Sequence, residues 1–211
     1  MTRHGALIAG AAGAAAFVLL ALIVALAPTA VEPLDVAWNE AMIRGRSDAA
    51  IQISLALNAI GGGWIATRAV PVALAVAILL ARGWRAAIVV IVMMLASVAV
   101  VQLVKGVIAR ERPLDMLVTS DFGSFPSGHT ANAATVAIVL CVLLPRAIGI
   151  PLGAVWTLLM ALSRTVLSVH WLVDTIGGAL LGAAVALLVV AVFAPWTRPR
   201  RLRFRHRQTE E

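Results

Sequence analysis

Residues 86–109 read AAIVVIVMMLASVAVVQLVKGVIA. A helix needs about 20 mostly apolar residues to cross the hydrocarbon core of a bilayer. This run supplies them with a single charge, Lys105, close to its end. The pattern recurs on both sides, at 6–27 and 64–81 before it and at 128–145, 149–169 and 171–194 after it. The chain is therefore expected to be all-α, a bundle of six transmembrane helices. Composition agrees. Hydrophobic residues make up 62% of the 211 and charged residues 13%, with mean hydropathy +0.98, whereas a soluble domain is roughly half apolar.

The first stretch follows Arg3 and His4, as a signal peptide would. Its apolar core exceeds the about 7–15 residues of a signal, and no clean small-residue cleavage site follows. It is expected to be a retained span, ended by Pro28, Glu32, Pro33 and Asp35. Segment 34–61 is mixed: Trp38, Asn39, Glu40, Arg44, Arg46 and Asp48 precede a milder apolar run that breaks at Gly61-Gly62-Gly63. It reads as one or two interfacial helices, with Trp38 and Trp64 at headgroup depth. Residues 1–197 are expected to form one membrane domain and 198–211 a basic cytoplasmic tail.

The net charge of +7 does not signal nucleic acid. Six arginines lie between Arg198 and Arg207, directly after an apolar run, where a basic cluster reads as a cytoplasmic anchor touching anionic lipid. With both termini in the cytoplasm, Arg3, Arg82, Arg85, Arg146 and the tail lie inside, and Glu32, Asp35, Glu40, Asp48, Glu111, Asp115 and Asp121 outside. The positive-inside tendency favours that orientation, which turns the loops at 110–127 and 169–171 outward. The lone Cys141 allows no disulfide within the chain and no cysteine metal site. No internal repeat suggests a transporter built from inverted halves.

Chemistry concentrates in three clusters at the outer ends of spans: Lys105 with Arg112-Pro113; Pro126-Ser127-Gly128-His129; and Ser163-Arg164, His170 and Asp174. A charged side chain in a span costs about 2.5–3.5 kcal/mol at the helix centre and less near the ends, so such residues point to function. Lys105, Arg112 and Arg164 face one helical acid, Asp174, and the surplus of positive charge suits the oxygens of a phosphoryl group. Phe125-Pro126 favours an extended approach and Ser127 a helix cap. The unpaired amides of a helix starting near Gly128 favour an anion, and Gly128 lets it come close. His170 and Asp174 stand one helical turn apart. The carboxylate would fix one ring nitrogen and leave the other to attack. His129 is then the general acid for the leaving oxygen.

Single members of these clusters have plainer readings: an interfacial histidine, a snorkelling arginine, a surface His–Asp pair, or charges that only stabilise helix packing. Their convergence favours a site. A metal among His129, His170 and Asp174 would add positive charge to three cations already there. A Ser127- or Ser163-based hydrolase would pair with an oxyanion hole rather than with cations.

These residues resemble the type 2 phosphatidic acid phosphatase superfamily. Its signature runs Lys, six residues, Arg-Pro; then Pro-Ser-Gly-His; then Ser-Arg, five residues, His, three residues, Asp. The chain matches each part at Lys105 to Pro113, Pro126 to His129 and Ser163 to Asp174. The resemblance implies a membrane phosphatase in which His170 forms a phosphohistidine, Asp174 orients it, and His129 protonates the leaving group and then activates water. Lys105, Arg112, Arg164, Ser127 and Gly128 would hold the phosphoryl oxygens. It implies no cofactor and no metal. The partners would be a lipid phosphate and membrane lipids, with no nucleic acid and no obligate protein. Six spans set the chain apart from the soluble vanadium haloperoxidases of the same superfamily. An outward-facing site suits a polyprenyl diphosphate such as undecaprenyl diphosphate. Phosphatidate or phosphatidylglycerophosphate is the alternative, and a non-catalytic lipid-phosphate binder or transporter a remote one.

Overall fold

The computed structural model describes residues 2–120 and 122–197. Met1, Asp121 and the expected basic tail at 198–211 lie outside the described residues. Among these residues every regular element is helical, with no strand.

Helix α1 (Arg3–Leu26) starts where the Thr2 hydroxyl accepts from the Gly5 amide at 3.1 Å, and a 3₁₀ turn led by Pro28 follows it. Segment 34–61 becomes two helices, α2 (Glu32–Gly45) and α3 (Asp48–Gly61). Glu32 and Asp35 occupy the electropositive first turn of α2, where the helix dipole favours acids. Ser47 starts α3 by accepting from the Ala50 amide at 3.2 Å. Helix α4 (Val70–Arg82) closes at Gly83, whose φ of 90° suits glycine. There follow α5 (Trp84–Ile108), a loop, α6 (Gly128–Leu143), α7 (Arg146–Val166), α8 (Leu172–Val192) and a last turn, α9 (Ala194–Thr197).

Four helices, α1, α5, α7 and α8, are long and apolar enough to cross a membrane, while α4 and α6 are shorter. The expected stretch at 64–81 is helical but opens into a π turn at Ile65–Ala69. The stretch at 128–145 stops at Leu143, because the residue before Pro145 is pushed out of the α region.

The long helices meet through small residues. Helix α8 packs against α1 and α6, and α6 also against α7. A Cβ at Gly182 would collide with the carbonyl of Ala131, so glycine lets these two backbones touch, as membrane helix pairs do. Phe17 of α1 stacks on Phe125 at 5.8 Å, joining α1 to the loop before α6.

The two ends differ. Arg3, Arg82 and Arg146 share one cavity where α4 ends and α7 begins. Lys105, the loop from Ala109 to Ser127 and the connection from α7 to α8 gather at the other end of α5.

Candidate active site

At that second end lies a cavity of about 400 Å³, lined among others by Lys105, Gly128, His129, Arg164 and His170. Both histidines face this one space. A Cβ on Gly128 would meet only Val101, at 3.6 Å, so the missing side chain leaves cavity space rather than relieving a clash.

Helix α8 begins at Leu172, so His170 precedes it and does not share a helical face with Asp174, as the spacing suggested. The pair still meets. Asp174 turns back over the first turn of α8, its Oδ2 accepting from the Trp171 amide at 2.9 Å and lying 3.6 Å from His170 Nδ1. The other ring nitrogen, Nε2, lies 3.3 Å from Arg112 Nη1. His170 is almost fully buried. Burial, with Arg112 and Lys105 nearby, lowers its pKa to about 4 against the opposing pull of Asp174. At neutral pH the imidazole is therefore uncharged, with a lone pair to offer.

Lys105 and Arg112 are held by backbone carbonyls and Arg164 by side chains. Lys105, the only lysine of the chain, donates from Nζ to the Gly123 carbonyl at 2.7 Å, and Arg112 Nη2 donates to the same oxygen at 2.9 Å. Arg112 Nη1 also donates to the Val169 carbonyl. Arg164 is buried; its Nη1 donates to Asn58 Oδ1 at 2.7 Å and its Nε to Ser163 Oγ at 3.2 Å. Its Nη2 is buried and has no hydrogen-bond partner among the described residues. An orphaned guanidinium donor beside a cavity is costly unless an acceptor arrives.

Ser127 and Asp174 stand behind the cavity wall. Ser127 takes the cap position of α6, but its hydroxyl accepts from Thr130 Oγ1 at 3.1 Å instead of capping a backbone amide. Its own amide donates to the Asp174 carbonyl at 2.9 Å. Among the described residues no group of three or more His, Cys, Asp or Glu could hold a metal ion.

Several residues of the site escape sequence reasoning. Asn58 of α3 fixes Arg164. Gly62 packs on the His129 ring, where a Cβ would sit 2.6 Å from Nε2. Arg110 donates to Asp174 Oδ1 at 2.7 Å and to Asp35 Oδ2 at 2.6 Å, and Asp35 Oδ1 accepts from the Val173 amide at 2.9 Å. Arg46, at the break between α2 and α3, donates to the Val166 carbonyl at 2.8 Å and to Ser168 Oγ; that hydroxyl in turn donates to Asn39 Oδ1 at 2.7 Å. The mixed segment is thus a wall of the site.

Residues 86–198 match the PAP2 superfamily, and the chain belongs to that family. It is 34% identical over 108 residues to the decaprenylphosphoryl-5-phosphoribose phosphatase of Mycobacterium tuberculosis, covering 49% of this chain and 59% of that protein. To the undecaprenyl-diphosphatase of Sulfolobus acidocaldarius it is 38% identical over 69 residues, 33% of each chain. The chain spans about three-fifths or less of the length of these curated relatives. Its fold superposes on the transmembrane PAP2-type phosphatidylglycerolphosphate phosphatase of Bacillus subtilis with TM-score 0.77 and 25% identity, over 91% of this chain and 98% of the other. Aquifex aeolicus LpxE shares the fold at TM-score 0.65 and 21% identity, over 74% and 94%.

Proposed function

We propose that this chain is a metal-independent phosphatase that crosses the membrane six times and removes phosphate from a lipid phosphomonoester or diphosphate at the extracytoplasmic face. The observation that carries the reading is the shared cavity. It holds a buried neutral imidazole between Asp174 and Arg112, a second histidine, and the orphaned Nη2 of Arg164. Arg164, Lys105 and Arg112 hold the phosphoryl oxygens. His170 Nε2 attacks phosphorus, the P–O bond to the leaving group breaks, and His129 supplies the leaving oxygen with its proton. Water then attacks the phosphohistidine, giving its proton to His129 as the P–N bond breaks and His170 is regenerated. Ser127 and Asp174 act from behind, by fixing the start of α6 and the His170 ring.

For the substrate, a polyprenyl-linked phosphate or diphosphate is favoured by the activities for which the decaprenyl and undecaprenyl relatives are named. A glycerophospholipid phosphate is the second reading, favoured by likeness to the Bacillus protein across 91% of the chain. Phosphate release in detergent, with a chelator present, from undecaprenyl diphosphate, phosphatidate and phosphatidylglycerophosphate tests both. Release that His170→Ala abolishes is expected. Undiminished release by that variant, or loss of release in chelator, contradicts the reading.

A further inference from the structure

The chain Asp35–Arg110–Asp174 lies outside the cavity, and none of its work is accounted for by holding phosphate. Its parts come from three places: Asp35 from α2, Arg110 from the loop after α5, and Asp174 from the first turn of α8. Both carboxylates are buried, at 1% and 0% exposure. Removing two acids from water is expensive unless each is paired and hydrogen-bonded. Here one guanidinium spans both, at 2.6 and 2.7 Å. The fork leaves little freedom. Asp174 gives Oδ1 to Arg110, so Oδ2 is turned to the Trp171 amide and His170 Nδ1. Arg110 is itself fixed by Asp35, by its carbonyl accepting from the Ser124 amide at 2.8 Å, and by lying over the Trp171 ring at 5.7 Å. Asp35 in turn accepts from the Val173 amide, in the turn of α8 that carries Asp174.

We infer that Asp35 is a positioning residue for the phosphoryl-transfer centre, acting through Arg110 on the orientation of Asp174 and so on the nucleophilic strength of His170. The inference rests on the phosphatase reading above. Arg110 stabilises the Asp174 carboxylate, and Asp35 shares that cation. Without Asp35, Arg110 pulls on Asp174 alone and draws the carboxylate off His170 Nδ1, which leaves the imidazole a weaker nucleophile. Without Arg110, Asp174 is released to hold a proton on His170. The other charges facing His170, namely Arg112, Lys105, and His129 and Arg164 across the cavity, are the same in both variants.

The signs therefore oppose. Full-length protein in mixed detergent micelles is assayed for phosphate release from dioleoyl phosphatidate and farnesyl diphosphate across pH, beside thermal unfolding and a His170→Ala control. Asp35→Asn should lower kcat on the order of 10–100-fold, as removing the outer partner of an oriented imidazole does in metal sites. It should also move the acid limb to lower pH. Arg110→Gln should move that limb up by about one unit, the low end for one neighbouring charge. In the Arg110→Gln background, Asp35→Asn should leave the acid limb where it is, since the electrostatic route through Arg110 is gone. If Asp35→Asn does not fold, Arg110→Gln and the double variant must share one pH profile. Folded Asp35→Asn with unchanged kcat and limb overturns the inference alone, as does a difference between the last two profiles. Wild-type protein as silent as His170→Ala toward both probes overturns the phosphatase reading as well.

Discussion

His170 has two ring nitrogens with unlike neighbours, Asp174 Oδ2 at Nδ1 and Arg112 Nη1 at Nε2. Burial holds the ring neutral down to about pH 4, where an ordinary histidine would be half protonated at 6.5. Protonation removes the attacking lone pair, so activity due to this group is present above its pKa and lost as pH falls through it. The acid limb of kcat/KM, which reports the free enzyme, should therefore lie below about pH 5; a nucleophile limb at the ordinary imidazole value contradicts the burial argument. Arg164→Lys makes a second expectation. The ammonium cannot reproduce the fork that donates to Asn58 and Ser163 beside the cavity, so kcat/KM should fall by about tenfold or more, the loss of one charge-assisted hydrogen bond, with little change in melting temperature. The participants that contrast with an apolar background, Lys105, Arg164, His170 and Asp174, are legible in the sequence, because nothing in lipid packing asks for them. Asp35 and Arg110 are not. An acid after a span reads as a terminator and an arginine in a polar loop as solvated, and their pairing joins positions 75 residues apart.

At the scale of elements, helices α5, α7 and α8 follow the apolar stretches closely. The ends of α6 and α4 do not, because Pro145 and a π turn intervene. Segment 34–61 shows only a weak pattern, since α2 and α3 are built as much to meet α7 and α8 as to meet lipid. Their grip on the site is specific: Asn58 on Arg164, Asn39 and Arg46 on the turn through Ser168, Gly62 on His129. Gly62→Val would drive a branched side chain into the His129 ring, and overpacking of this kind costs about 1–3 kcal/mol. The expected result is lower kcat with a modest fall in thermal stability. Wild-type kcat would mean that His129 moves freely and is not held for its task.

At the scale of the molecule, Arg3, Arg82 and Arg146 share a cavity at one end, and the candidate site lies at the other. The positive-inside tendency at the first end is the ground for the proposed orientation, with the candidate site outside. Leu114, in the loop after α5, is 98% exposed. With Cys141→Ser as background, Leu114→Cys should react with a membrane-impermeant maleimide in intact cells; reaction only after the membrane is opened would reverse the orientation.

The proposed mechanism turns on the covalent step at His170. Rapid acid-free quenching of the protein turning over a lipid phosphate labelled at its terminal phosphorus, followed by peptide mapping, reads it directly. The expected product is a phosphoryl group that is stable to base, labile to acid, carried on His170 and missing from His170→Ala. Phosphate on a serine such as Ser127 or Ser163, or steady turnover with no phosphorylated protein at any quench time, would contradict it.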